Sequence, residues 1–194
     1  MYLAVKRVGD FCAALAGVIF LLPLLALIAL AIKLTSKGPV LFLQERVGKD
    51  QKVFRICKFR TMVVGAEKIG DGLTIKSAND SRITPVGRFL RATSLDELPQ
   101  LFNVVKGDMS LVGPRPPVTY HPYPIGGYPD QFIRRFDLRP GITGLAQVTV
   151  RNSVPWDERM AWDIKYVDQV SLALDIKILW LTLLRVLRPS GIFK

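Results

Sequence analysis

Two adjacent carboxylates, Asp96 and Glu97, sit in the run Arg91-Ala92-Thr93-Ser94-Leu95-Asp96-Glu97-Leu98-Pro99-Gln100 of a chain whose formal net charge is +11. Acidic groups among cations suit phosphate chemistry: the cations neutralise the substrate's oxygens while a carboxylate attacks phosphorus or holds a metal ion. The same spacing has a plainer use. Ser94-Leu95-Asp96-Glu97 fits the capping box S-x-x-E, in which Ser94 caps a helix and Glu97 reaches back to the first backbone N–H. The two roles are compatible. A cap at Ser94 puts Asp96 in the first helical turn, where the helix dipole favours its ionised form and a bound phosphate.

Arginines recur beside turns, at Arg46, Arg60, Arg91, Arg115, Arg139 and Arg151. Any one of them is by default a solvated surface charge. Arg115 is a stronger case, because Pro114 and Pro116 fix the backbone around it and reduce the entropy lost when an anion orders the side chain. Lys58 and Arg60 leave a strand together with Thr61, and Arg91 precedes Asp96 closely enough to share a phosphate with it. A pI near 10.0 admits nucleic acid, anionic lipid or phosphorylated small molecules as partners. No helix-turn-helix, zinc-finger or RNA-binding aromatic signature supports the first. The one histidine, His121, argues against a zinc site, and Cys12 and Cys57 read as reduced thiols of a cytoplasm-facing protein.

The elements that must position these residues follow from the patterning of 194 residues, with 49% hydrophobic content and mean hydropathy +0.27. Phe11–Ile32 is an uncharged run of 22 residues, long enough as a helix to reach across a hydrocarbon core of about 30 Å. It is too long for a signal peptide and has no small-residue cleavage site after it, so it reads as a retained anchor. Pro23 near its middle clashes with the carbonyl of Ile19 and predicts a kink or break. Positive charge on both flanks (Lys6, Arg7, Lys33, Lys37) leaves two readings: a re-entrant helix returning to the cytoplasmic face, or a kinked span. Beyond it, 40–48 and 53–60 read as strands joined at Gly48-Lys49-Asp50-Gln51 in a hairpin with Arg55 on its wet face. Residues 65–81 read as a loop, a helix starts near Pro85, and a second runs from Ser94 to about Val105 with Gly107 just past it. Gly113–Pro117 is a stiff turn and Pro122–Pro129 a loop. Helices follow over Trp156–Val170 and Asp175–Arg188, the last apolar enough, with Trp180 as an anchor, to lie on a bilayer.

Several long motifs occur in register: Lys58-Phe59-Arg60-Thr61-Met62, Phe89-Leu90-Arg91, Thr93 to Asn103 with its Asp-Glu pair, and Lys106-Gly107-Asp108-Met109-Ser110. Val112-Gly113-Pro114-Arg115-Pro116 and Arg139-Pro140-Gly141-Ile142-Thr143-Gly144-Leu145-Ala146-Gln147-Val148 follow. On these motifs, which cover nearly the whole chain, the sequence resembles the bacterial sugar transferase family, the monotopic phosphoglycosyl transferases of the small PglC-like type. The resemblance implies an α+β, mainly helical fold. In it a re-entrant membrane helix kinked at proline (1–36) precedes a cytoplasmic catalytic domain (37–194), which holds a small β-hairpin and amphipathic helices at the membrane surface.

The resemblance also implies transfer of a sugar 1-phosphate from a UDP-sugar to a polyprenyl (undecaprenyl) phosphate at the bacterial inner membrane, with UMP released. By motif position Asp96 is the nucleophile that carries the phosphosugar, and Glu97 assists. Mg²⁺ is expected on Asp96 and the diphosphate. Arg91 and Arg115 bind substrate phosphates, Lys58 and Arg60 line the site, and Arg139 and Arg151 are further substrate-binding candidates. The segment Gln147-Val148-Thr149-Val150-Arg151-Asn152 departs from the family's usual Q-V-N-G-R-N, which bears on the local turn and on Arg151. Without the extra N-terminal membrane domain of longer relatives, the chain is expected to be a minimal catalytic form. Two other readings stand beside this one: a membrane-bound phosphohydrolase of nucleotide sugars and a non-catalytic membrane-surface adaptor.

Overall fold

In the computed structural model, residues 2–66, 69, 80–150 and 153–187 are described. The chain is mainly helical. Helix α1 runs over Tyr2–Thr35, α2 over Pro85–Thr93, α3 over Gln100–Lys106, α4 over Asp130–Ile133, α5 over Leu145–Thr149, α6 over Trp156–Gln169 and α7 over Leu172–Leu187. Strands β1 (Leu41–Val47) and β2 (Val53–Phe59) form the expected antiparallel hairpin, paired from Leu41↔Phe59 to Val47↔Val53. Its connection turns at Asp50 and Gln51, both with φ 55, and is closed by Gly48 N–H donating to the Lys52 carbonyl at 2.8 Å. A parallel pair, β3 (Ser110–Val112) with β4 (Gly141–Thr143), was not legible in the sequence because each strand is three residues long. It brings the Gly113–Pro117 turn against the Arg139–Gly144 motif. A Cβ on Gly141 would lie 2.1 Å from the Gly113 nitrogen, so this crossing admits only glycine.

Helix α1 passes through Pro23 without a break, and it is long and apolar enough to cross a bilayer. One stripe of it packs on the rest of the chain. Ala14 joins Ile56 of β2 with Val104 and Met109, and eleven or more residues later Leu25, Ile28 and Ile32 pack with Phe59 and Leu90. The other faces, including Phe11, Leu15, Ile19, Phe20, Leu22, Leu27 and Leu30, are exposed. Near its start, Arg7 donates to the carbonyls of Val104 and Val105 at the end of α3 (2.7 and 3.2 Å). Lys6 pairs with Asp10 and Asp175, while the Tyr2 and Tyr166 hydroxyls both donate to Asp175 and Ser110 donates to Asp10. Every charge in this buried set has a partner, as burial requires. Two further apolar clusters close the body: Val47, Tyr128, Phe132, Phe136 and Met160, and Val112, Val148, Tyr166 and Ile178.

The structure corrects the expectation of one helix from Ser94 to Val105. Ser94 is instead the left-handed C-cap of α2 (φ 58), and its side chain caps nothing. A 3-10 turn, Leu95–Glu97, follows, and α3 begins only at Gln100. The capping box therefore does not form. Pro99 explains why: inside a helix started at Ser94 it would clash with the carbonyl of Leu95. The expected end of α3 is found, with Gly107 at φ 101 taking the left-handed cap. Most of the 65–81 loop, and Arg188 at the end of the last predicted helix, lie outside the described residues.

Candidate active site

The 3-10 turn that carries the acidic pair is held from three sides. On one side α2 is seated by its own N-cap: the Thr84 hydroxyl accepts from Gly87 N–H at 2.9 Å and donates to the Thr61 carbonyl at 3.3 Å. Gly87 lies so close to that carbonyl that a Cβ there would stand 1.9 Å from the oxygen. This seating carries Arg91 towards the turn, where its Nη1 donates to the Thr61 hydroxyl at 3.2 Å. On the second side is β2, which bears Lys58. The buried Asn103 of α3 ties the two elements together by accepting from Cys57 N–H at 2.9 Å and donating to the Arg55 carbonyl at 2.7 Å. On the third side is the Pro114–Pro117 segment with Arg115.

Within this frame Glu97 is bound to Lys58 at 2.6 Å. Burial alone would raise its pKa, but the positive charges of Lys58 and Arg115 prevail and hold the carboxyl down to about 2. Asp96 goes the other way. Partial burial and the negative charge of Glu97 push it up to about 6, against the opposing pull of Lys58 and Arg91. No other side chain hydrogen-bonds the Asp96 carboxylate among the described residues. The pair thus splits into a Lys58-tethered Glu97 whose carboxyl is held low and an untethered Asp96 whose carboxyl is pushed up. Separation of two neighbouring carboxyls in this way marks functional sites.

The structure brings Asp96, Glu97, Lys58, Arg91 and Arg115 together. Two other candidates are occupied elsewhere. Arg60 is buried and donates to the carbonyls of Ser36 and Lys37 and to the Ser36 hydroxyl, so it ties down the exit from α1. Arg139 donates to the Gly107 carbonyl at 2.8 Å, at the end of α3. Arg151 lies outside the described residues. Just before it α5 ends at Thr149, and Val150 has φ −112 and ψ −16, a conformation that needs no glycine.

Arg46 of β1 belongs to the site more closely than its position beside a turn suggested. It donates to the Pro116 carbonyl at 3.0 Å and to Gln44 at 2.6 Å. Burial, with the nearby charge of Arg115, lowers its pKa to about 10, and Glu97 opposes the shift. The signal available was the spacing: Gln44 and Arg46, two apart on a strand, share a face. Arg159 of α6, which also feels the charge of Arg115, gave no comparable signal.

The sequence profile of bacterial sugar transferases matches residues 1–189. The chain belongs to the bacterial sugar transferase family. Among curated relatives, the UDP-glucose:undecaprenyl-phosphate glucose-1-phosphate transferase of Caulobacter vibrioides is 46% identical over 97% of this chain and 72% of its own length. The enzyme of the same name from Klebsiella pneumoniae is 41% identical over 93% of this chain and 39% of its own length. The galactosyl transferase CpsE of Streptococcus agalactiae is 42% identical over 98% of this chain and 44% of its own length. The chain thus spans less than half the length of the latter two sugar transferases. The matched region contains every element that positions the acidic pair.

Proposed function

We propose that this chain is a phosphoglycosyl transferase of the bacterial inner membrane. It would move a sugar 1-phosphate from a UDP-sugar to undecaprenyl or a similar polyprenyl phosphate. The carrying observation is the electrostatic split of the acidic pair, with an untethered Asp96 beside a Lys58-bound Glu97 and under the charges of Arg91 and Arg115. The names of the relatives supply the substrate classes, and their different sugars leave the sugar itself unassigned.

In this reading an Asp96 carboxylate oxygen attacks the sugar-bearing phosphorus. The bond to the bridging oxygen breaks, its electron pair leaves with UMP, and an acyl phosphate remains. An oxygen of the polyprenyl phosphate then attacks the same phosphorus and displaces Asp96. Arg115, whose guanidinium bonds to no other described residue, and Arg91 neutralise the phosphate oxygens. Glu97 keeps Lys58 ordered within reach of them. No group of three or more metal-ligating side chains occurs among the described residues. That fits an ion taking one protein carboxylate, Asp96, and filling its shell with phosphate oxygens and water, as Mg²⁺ does. Bound there, Mg²⁺ would supply charge neutralisation at the diphosphate.

We also propose that α1, though unbroken at Pro23, keeps both its ends on one membrane face as the re-entrant reading requires. Its first turns hold α3 and α7 while its last turns hold β2 and α2, so both ends attach to one folded body and belong on one membrane face. The exposed apolar stripe of α7 (Leu172, Ile176, Leu179, Trp180 and Leu183) supports its lying on the bilayer.

The deciding experiment supplies UDP-sugars and Mg²⁺ with and without polyprenyl phosphate and reads UMP. Sustained release only with the lipid, together with an Asp96-dependent sugar-phosphate label on the protein, is expected. Rapid continuous release without lipid would make the protein a hydrolase, and undiminished function in Asp96→Asn would make it an adaptor.

A further inference from the structure

Behind Arg115 lies an ion pair that the reaction scheme does not use. Arg135, in the short turn after α4, meets Asp163 of α6 at 2.5 Å, with the side chains 1% and 2% exposed. The same Nη2 donates to the Arg115 carbonyl at 2.8 Å. Burial pushes the Asp163 carboxyl towards its neutral form, while Arg135 and the backbone N–H of Arg115 favour the ionised one. The next two carbonyls are also held from outside the segment: Pro116 by Arg46 at 3.0 Å and Pro117 by Val47 N–H at 3.0 Å. Three consecutive peptides are thereby pinned.

A buried ion pair is a poor route to stability, since well-packed apolar residues of similar volume often serve as well or better. Apolar residues cannot hold a peptide carbonyl in place. We propose that the Arg135–Asp163 pair is a positioning device that fixes the Arg115 main chain, so that the guanidinium meets the donor diphosphate beside Glu97. The identity of that diphosphate rests on the transferase reading, whereas the geometry does not.

The test is a double-mutant cycle in the full-length protein in lipid nanodiscs, with UDP as the probe and calorimetric Kd as the readout. Arg135→Lys keeps a positive charge beside Asp163 but lacks the planar guanidinium whose Nη2 reaches both acceptors. Asp163→Asn is the second variant, and thermal unfolding establishes which variants are folded. With Arg115 present, each substitution is expected to weaken UDP binding at least about tenfold. In the Arg115→Ala background the same change should cost less than about twofold, because groups acting through one another are not additive. Equal losses in both backgrounds, or UDP binding to Arg115→Ala as tight as to wild type, would overturn the proposal. A wild-type protein that binds UDP yet transfers no sugar phosphate would refute the transferase reading and leave the binding cycle decisive for the clamp.

Discussion

Asp96 must be ionised to attack, and its carboxyl titrates at about 6. The value of kcat/KM should therefore fall as pH drops through about 6. Glu97 raises Asp96 and Lys58 lowers it, so the two neighbours can be separated. In Glu97→Gln the acid limb should move to lower pH, and in Lys58→Met to higher pH. Limbs that shift together in pH–rate profiles would contradict the assignment. The stability consequence has the opposite sign for the two acids. A carboxyl raised above its unfolded value of about 3.9 stabilises the fold when protonated, and that contribution is lost as pH rises through about 6. The depressed Glu97 stabilises above its unfolded value of about 4.3, and its contribution is lost as pH falls towards about 2. Asp96→Asn mimics the protonated form, so its Tm should exceed that of wild type at pH 8 and converge with it near pH 4.

The site depends on elements seated by close backbone contact. Gly87→Ala would drive a methyl group into the Thr61 carbonyl and lift α2, with Arg91 on it. It should cost about 2 kcal/mol in urea unfolding, typical of overpacking, and lower activity as well. Ser94→Gly probes the other end of α2. A left-handed residue with a Cβ costs roughly 1–2 kcal/mol relative to glycine, so this substitution should stabilise the protein by about 1 kcal/mol. A loss of stability would instead indicate a capping role for the Ser94 hydroxyl. The hairpin, the start at Pro85 and the stop at Gly107 were legible because proline, glycine and strand alternation act locally. Pro99 carried the information that broke the expected helix at 94–105, and the S-x-x-E pattern concealed it.

For the whole molecule, attachment of both ends of α1 to one body predicts a single-sided topology. In a background with Cys12 and Cys57 replaced by serine, Leu3→Cys and Lys37→Cys should react with an impermeant maleimide only from the cytoplasmic side. Labelling of residue 3 from outside would refute the re-entrant arrangement. The helix is about 51 Å long at 1.5 Å per residue, and its packed stripe runs from Asp10 to Ile32. The same packing that holds it against the body also sets the height of the acidic pair relative to the exposed apolar faces of α1 and α7.

The sequence by itself determined the apolar helix, the hairpin, the family and the identity of the acidic pair, because hydropathy, turn residues and motif order are written along the chain. It could not say which cations serve the pair. Arg60 and Arg91 are close in type and motif context, yet one ties down the exit from α1 and the other reaches towards Asp96. Tertiary structure also made Glu97 a lysine-bound anion rather than a cap, and placed Arg135 and Asp163 behind Arg115. The physical reason is common to all of these. A charge takes its role from the partners and the water it has left after packing, and residues 28 to 39 positions apart meet only in the folded chain.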